Sequence, residues 1–318
     1  MRTLNLNVLG VGIIVNTSSE EFLDFVECNF SKYLAVRDSC RAKILVEFSP
    51  DAASVARRSR INMVYEGNDV YSDGASLVWA NEYGFICKVR TVLRAFVVHA
   101  WHHAMDDTVS WEDCQRCMRW CIQYPLFIAL QRFNVGVAHA AGVLVGNKGV
   151  VLAGLGGVGK STLAVKLGGY ENVLSDNYLL GDDEFLYPAP EALRLDPRSI
   201  ALLGGIDVSE KFFLYGKSQY CVGFNRKLMP SIGFLLRRSL EANLSEVSTR
   251  NAASRLQAMR QFSPEFPEKS FFSMLPAIQE DSPSTVTPDC LKRIDWYELT
   301  VGNLDATAEL VYKLLGDN

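Results

Sequence analysis

The sequence has neither an excess of basic charge nor a long apolar run. Its 32 lysines and arginines are outweighed by 36 aspartates and glutamates, giving a formal net charge of −4. Nucleic-acid binding usually requires a basic surface that neutralises phosphates. The apolar stretch at residues 8–15 contains two glycines and is shorter than the roughly 20 residues that span a bilayer. We therefore expect no nucleic-acid partner and no membrane partner.

The cysteines also lack an organised pattern. The eight cysteines are irregularly spaced and follow no recognisable secretory leader, so we expect reduced thiols and a cytoplasmic protein. Cys114, Cys117 and Cys121 follow a histidine-containing stretch, which at first suggests a metal site. Their i, i+3, i+7 spacing instead predicts the buried face of a helix, and structural zinc usually draws on paired ligand sets.

The pattern of the chain predicts two domains joined by a helical segment. Residues 1–108 read as short strands, one helix and hairpin turns, which indicates a small α+β domain. Residues 109–136 read as a connecting helical segment that Pro125 divides or kinks. Residues 137–318 begin with a strand, a loop, a helix and another strand, the order typical of an α/β domain.

Local signals predict several elements of the first domain. Residues 4–15 alternate well enough to be read as one strand. A helix follows, with Ser18 or Ser19 as its N-cap and acidic residues in its first turn. Residues 42–48 predict a second strand, and residues 62–98 predict a series of hairpins.

A glycine-rich turn opens the second domain. Residues 154–161, GLGGVGKS, match the Walker A pattern GxxxxGK[ST] in full, between an apolar strand and a helix. The backbone N–H groups of such a turn donate to phosphate oxygens, its lysine faces the terminal phosphates, and its serine hydroxyl can bind Mg²⁺. The alternative is a chance glycine turn. The predicted nucleotide-binding residues are Gly154, Gly156, Gly157, Val158, Gly159, Lys160, Ser161 and Thr162, and Ser161 is the predicted metal ligand.

An acidic residue follows the next predicted strand. Residues 172–180, NVLSDNYLL, read as a short strand that ends at Asp176. The two strands of a right-handed strand–helix–strand unit run parallel and end at one edge, so Asp176 is expected to face phosphates bound by Lys160. The alternative is a turn or capping aspartate. His139, ahead of the loop strand, reads on its own as an ordinary strand histidine.

Residues 137–185, and more loosely the segment to about 240, resemble the kinase core of HPr kinase/phosphorylase and its HPr-kinase-like relatives. The family pattern is a histidine ahead of the loop strand, the Walker A loop, and an acidic pair about fifteen residues beyond it. The resemblance implies an α/β fold with a P-loop kinase core related to phosphoenolpyruvate carboxykinase. It also implies roles for His139, Lys160 and Asp176 as catalytic residues, the last as the base that deprotonates an acceptor serine.

The sequence departs from this family at two positions of interest. Asn177 stands where the family has a second acid, and two alanines separate His139 from the following glycine. The family's downstream acidic signature has its nearest candidates in Glu191 and Asp196. These departures bear on whether HPr itself is the acceptor and on the reverse phosphorolysis reaction.

The resemblance predicts an ATP- and Mg²⁺-dependent kinase that phosphorylates a hydroxyl. The expected acceptor is a serine of a protein or precursor peptide. A small-molecule hydroxyl kinase and a nucleotide-binding regulatory module without turnover are the alternatives. The sequence leaves open whether the protein forms a homo-oligomer.

Overall fold

The chain forms two compact units of mixed α/β architecture. The computed structural model describes residues 2–34, 40–48, 54, 58, 64–67, 70–73, 76–80, 85–92, 95–102, 110–205, 207, 209–221, 226–261 and 287–316. The units comprise residues 1–133 with 267–284 and residues 134–266 with 285–318. Each contains a sheet with both parallel and antiparallel pairs. The predicted domain boundaries at 108 and 136 stay predictions.

The first unit is built on an eight-stranded sheet. Its strands are β1 (Arg2–Val8), β2 (Val11–Thr17), β3 (Ala42–Phe48), β4 (Val64–Gly67), β5 (Val70–Ser72), β6 (Ser76–Ala80), β7 (Phe85–Val92) and β8 (Ala95–His102). They are arranged in the order β1-β2-β3-β8-β7-β6-β5-β4. The pairs β2–β3 and β3–β8 are parallel. The strand at 42–48 and the hairpins between 62 and 98 are confirmed where the structure describes them.

The prediction of one strand over residues 4–15 is wrong. The chain reverses at Leu9 and Gly10, whose φ angles of 52° and 87° are left-handed, and β1 pairs antiparallel with β2. Two successive left-handed residues form the tight turn that matches the twist of a hairpin. Since apolar alternation continues on both sides of the turn, the pattern alone reads as unbroken.

The helices of the first unit begin and end largely where expected. Among the described residues they are α1 (Glu20–Asn29), α2 (Trp111–Met118) and α3 (Tyr124–Gln131). Ser19 caps α1, accepting from the backbone N–H of Phe22 at 3.1 Å. A π-helical stretch, residues 119–123, separates α2 from α3, and Pro125 lies in the first turn of α3. The predicted division near Pro125 is confirmed, because proline cannot donate the intrahelical hydrogen bond there.

The cysteines only partly match expectation. Cys114, Cys117 and Cys121 are fully buried, as the helix-face interpretation predicts. Cys28 and Cys221 are disulfide-bonded, so the expectation that all thiols are reduced is wrong for these two. Disulfide pairing cannot be deduced from cysteine spacing. The cytoplasmic expectation therefore loses this support. Within the described residues no helix is both long and apolar enough to cross a membrane.

The second unit carries the glycine-rich loop. Its described helices are α4 (Lys160–Gly168), α5 (Pro197–Leu202), α6 (Thr249–Gln261) and α7 (Leu304–Leu315). Its strands are β9 (Gly136–Val145), β10 (Lys148–Ala153), β11 (Val173–Ser175), β12 (Tyr178–Gly181), β13 (Leu186–Pro188), β14 (Leu193–Leu195), β15 (Phe212–Leu214), β16 (Lys217–Tyr220), β17 (Pro230–Arg238), β18 (Asn243–Val247) and β19 (Asp295–Val301).

Strand order brings several carboxyl-terminal ends to one edge. The main sheet is ordered β13-β12-β9-β10-β17-β19-β18, and β11 also pairs with β9. β10, β17 and β19 are mutually parallel. β9 runs antiparallel to both β10 and β11, so β10 and β11 run in the same direction with β9 between them. The loop after β10 and Asp176 after β11 therefore lie at the same edge. A small sheet, β14-β16-β15, completes the unit.

β10 is held on both faces by apolar packing. Val150 and Leu152 belong to the core cluster around α4, whereas Val151 and Ala153 belong to the cluster on the opposite face. All four are fully buried, which is typical of a central strand. Burying a Val or Leu side chain contributes about 1.5–3 kcal/mol. The loop thus starts from a rigid support.

Candidate functional site

The glycine-rich loop joins β10 to α4 in a conformation that needs glycine. Gly157 and Gly159 have φ angles of 74° and 107°, a region that residues with a Cβ rarely adopt. Val158 is buried in the core cluster around α4, and its backbone N–H donates to Leu155 O at 3.4 Å. The loop is therefore anchored by one apolar side chain, while Leu155 is exposed.

Lys160 is buried under the loop, where its side chain contacts two backbone carbonyls and a histidine ring. Its Nζ donates to Gly154 O at 2.8 Å and to Leu155 O at 3.3 Å. It also lies 3.2 Å from Nε2 of His139 on β9. A lysine ammonium can only donate, so in this contact the imidazole nitrogen would act as the acceptor. The ring of His139 packs edge-on against Tyr178 at 5.7 Å between centroids.

Asp176 lies against the first turn of α4. Its Oδ2 accepts from Ser161 Oγ at 3.1 Å and from the backbone N–H of Arg194 at 3.1 Å. The carboxylate is buried. The structure thus brings together Lys160, Ser161, Asp176 and His139, the residues to which the sequence assigns chemistry.

A second carboxylate is adjacent to this group. Asn177 Nδ2 donates to Glu191 Oε1 at 3.4 Å, and Arg194 Nη2 lies 4.0 Å from Glu191 Oε2. Glu191 is buried. Because Asn177 directly follows Asp176, this contact places the Glu191 carboxylate beside the residue next to Asp176.

Two residues that the sequence offers for the site, Asp196 and Thr162, contact the first turn of α5. Asp196 is the N-cap of α5, where its Oδ1 accepts from the backbone N–H of Ser199 at 2.8 Å. Thr162 Oγ1 lies 2.7 Å from Ser199 Oγ, so its hydroxyl contacts the first turn of α5. Of the two downstream acids, Glu191 is therefore the one linked to Asn177 beside Asp176.

The oxygen atoms of this site suit a hard cation. Mg²⁺ binds carboxylate and hydroxyl oxygens, and it commonly takes one or two carboxylates together with substrate phosphates and water. Ser161 Oγ, Asp176 and Glu191 are donors of this kind. In the described part of the chain, no group of three or more His, Cys, Asp or Glu side chains is arranged to hold a metal ion by itself.

Two arginines also lie at this site, and only one of them carries a signal in the sequence. Arg194 in β14 holds Asp176 through its backbone, a contact with no side-chain signature. Arg238, the last residue of β17, donates from Nη2 to Gly157 O in the loop at 2.6 Å. The run IGFLLRR predicts a strand that ends in Arg237 and Arg238, which are candidates for phosphate or substrate contact, with surface arginines as the alternative.

Comparison with known proteins adds no family to this geometry. No known family model matches the sequence, and no curated protein matches it significantly.

Proposed function

We propose that the second unit is a P-loop kinase core of the HPr kinase and phosphoenolpyruvate carboxykinase type, which transfers the γ-phosphoryl group of ATP to a hydroxyl. The observation that supports this proposal most directly is the 3.1 Å hydrogen bond from Ser161 to Asp176, beside the buried Lys160. A phosphate-binding loop, a cation and a carboxylate at one sheet edge are what phosphoryl transfer asks of a protein.

The loop residues would bind and orient the triphosphate. The N–H groups of the loop and of the first turn of α4 donate to phosphate oxygens, with the positive end of the helix dipole behind them. Lys160 supplies positive charge at the terminal phosphates. Ser161 and Glu191 would hold Mg²⁺, which would neutralise developing negative charge.

Asp176 would take the proton of the acceptor. In the described residues both hydrogen bonds to this carboxylate end on Oδ2, which leaves Oδ1 for the acceptor hydroxyl. The hydroxyl oxygen forms a bond to the γ-phosphorus as the bond to the β–γ bridging oxygen breaks. The hydroxyl proton passes to Asp176, and ADP leaves. General-base assistance of this kind contributes about 10²–10⁴-fold.

The resemblance supports a serine of a protein or precursor peptide as the acceptor. A small-molecule hydroxyl would undergo the same reaction with the same residues. Both acceptors leave the nucleotide and base assignments unchanged, so the core reaction can be tested before the acceptor is identified.

Asp176→Asn tests the proposal because it separates binding from chemistry. We expect the variant to bind ATP nearly as well as the wild type and to lose about 10²-fold or more in phosphoryl transfer. Slow transfer to water, measured as ATP hydrolysis, serves as the first assay. Asp196→Asn is the matched control, because asparagine also caps helices well and that side chain is committed to α5. Equal turnover by Asp176→Asn and wild type would reject Asp176 as the base.

The same site could instead bind nucleotide without turnover, as a regulatory module. The observation that favours this alternative is Asn177, an amide where a second acid is expected. Tight ATP binding by the wild type, with neither hydrolysis nor labelling of any tested acceptor, would support it over the kinase.

A further inference from the structure

Arg238 reaches the glycine-rich loop from a neighbouring strand. Its Nη2 donates to Gly157 O at 2.6 Å. β17 is paired in parallel with β10, so Arg238 and the loop lie at the same edge. Side chains alternate along a strand, which places Arg238 on the face of Leu236, a member of the core cluster around α4. Arg237 lies on the opposite face.

The carbonyl that Arg238 contacts belongs to the peptide between Gly157 and Val158, whose N–H donates to Leu155 O at 3.4 Å. No described atom lies within 4 Å of the position that a Cβ would take at Gly156 or Gly157. Gly157 also has a left-handed φ of 74°. The long hydrogen bond from Val158 holds the N–H side of this peptide plane and Arg238 holds its carbonyl side, and a rotation of the plane would turn the carbonyl oxygen toward bound phosphate. A charge-assisted hydrogen bond to this oxygen opposes that rotation.

We propose that Arg238 is a positioning residue of the phosphate-binding loop, an inference that rests on the proposed nucleotide-binding function. By holding Gly157 O, Arg238 keeps the loop in the conformation whose N–H groups donate to phosphate. The loop is then organised before the ligand arrives, which reduces the ordering cost of binding. The gain in affinity therefore applies to ATP and to ADP, because the loop contacts the phosphates that both nucleotides share.

The test compares Arg238→Ala with Arg237→Ala, a matched control one residue away on the opposite face. The dissociation constants of Mg²⁺·ATP and Mg²⁺·ADP are measured for both variants and the wild type. Losing one charge-assisted hydrogen bond should weaken both nucleotides by about tenfold in Arg238→Ala. Arg237→Ala should stay close to the wild type, and Arg238→Lys should recover part of the loss because it restores a donor with positive charge.

Hydrogen exchange of the backbone amides at residues 156–161 gives a readout without nucleotide. We expect faster exchange in Arg238→Ala than in Arg237→Ala, with equal melting temperatures. Unchanged exchange, unchanged affinities, or weakening of ATP alone would overturn the proposal, the last result pointing to direct contact with the terminal phosphate. If the wild type binds neither nucleotide, the proposed function fails while the exchange experiment still decides the role of Arg238.

Discussion

Ser161 and Asp176 are fifteen positions apart in the chain, and their side chains meet at 3.1 Å between Oγ and Oδ2. The first belongs to the opening turn of α4 and the second follows β11. Their meeting is set by the path of α4 across β9, which brings the end of β11 back to the edge where β10 ends. This hydrogen bond therefore depends on the crossover from β10 through α4 to β11, which places both residues in the candidate site.

Glu191→Gln should lower the affinity of the site for Mg²⁺. The substitution removes a buried carboxylate that contacts Asn177 while keeping its size. We expect the Mg²⁺ concentration for half-maximal ATP binding or turnover to rise about tenfold or more, because residues that support a metal site typically contribute 10–100-fold in affinity. Glu184→Gln, at an exposed position of a hairpin, is the control. An unchanged Mg²⁺ titration would mean that Glu191 plays no part in metal binding.

His139→Ala should lower phosphoryl transfer through Lys160. The imidazole Nε2 lies 3.2 Å from Lys160 Nζ, which also donates to two backbone carbonyls, and loss of the imidazole lets the Lys160 side chain shift. We expect the turnover number at saturating ATP to fall about tenfold, the size of effect that a small misplacement at an active site produces. His139→Gln keeps an acceptor on the side chain and should retain more activity than alanine. Full activity in the alanine variant would show that His139 is only a strand residue.

Asp182 should make folding stability depend on acid pH. Burial alone raises the pKa of Asp182, but hydrogen bonds from the N–H groups of Phe185 and Glu184 and from the Tyr187 hydroxyl outweigh it. The folded-state pKa lies below its ordinary value of 3.8. Such a group stabilises the fold above the unfolded-state pKa, and that contribution is lost as pH falls through the folded-state pKa.

Urea unfolding of Asp182→Asn at two pH values measures this contribution. The free energy of unfolding of the wild type should exceed that of the variant at pH 7, and the difference should shrink toward pH 2. Asp183→Asn, at the exposed neighbouring position, should show little difference at either pH. A gap for Asp182→Asn that is independent of pH would contradict the assignment.

Sequence signals predicted the parts of this structure that depend on interactions between residues close together in the chain. The complete GxxxxGK[ST] motif fixes a loop with left-handed glycines, and Ser19 caps α1 because its hydroxyl can reach a nearby backbone N–H. Pro125 interrupts the helical segment because proline cannot donate a backbone hydrogen bond. The direction of β11 followed from the handedness of strand–helix–strand units, which was enough to bring Asp176 to the loop.

Contacts that depend on strand register could not be predicted from the sequence. Arg194 reaches Asp176 with its backbone, so its residue type carries no signal. Arg238 meets Gly157 only because β17 is the parallel neighbour of β10, which a single sequence does not reveal. The turn at Leu9 and Gly10 was missed for a different reason, since a leucine in a left-handed conformation is unusual and the flanking alternation hides it.

The most direct test of the account is the thermal shift caused by Mg²⁺·ATP in wild type, Lys160→Ala and Lys166→Ala. Lys166 lies on the same helix, where it pairs with Asp305 at 2.6 Å, so it controls for the loss of a lysine. A ligand that binds the native state raises the melting temperature. We expect Mg²⁺·ATP to stabilise wild type and Lys166→Ala equally, and to leave Lys160→Ala almost unshifted. An equal shift in all three proteins would place nucleotide outside the glycine-rich loop, and no shift in any of them would contradict nucleotide binding altogether.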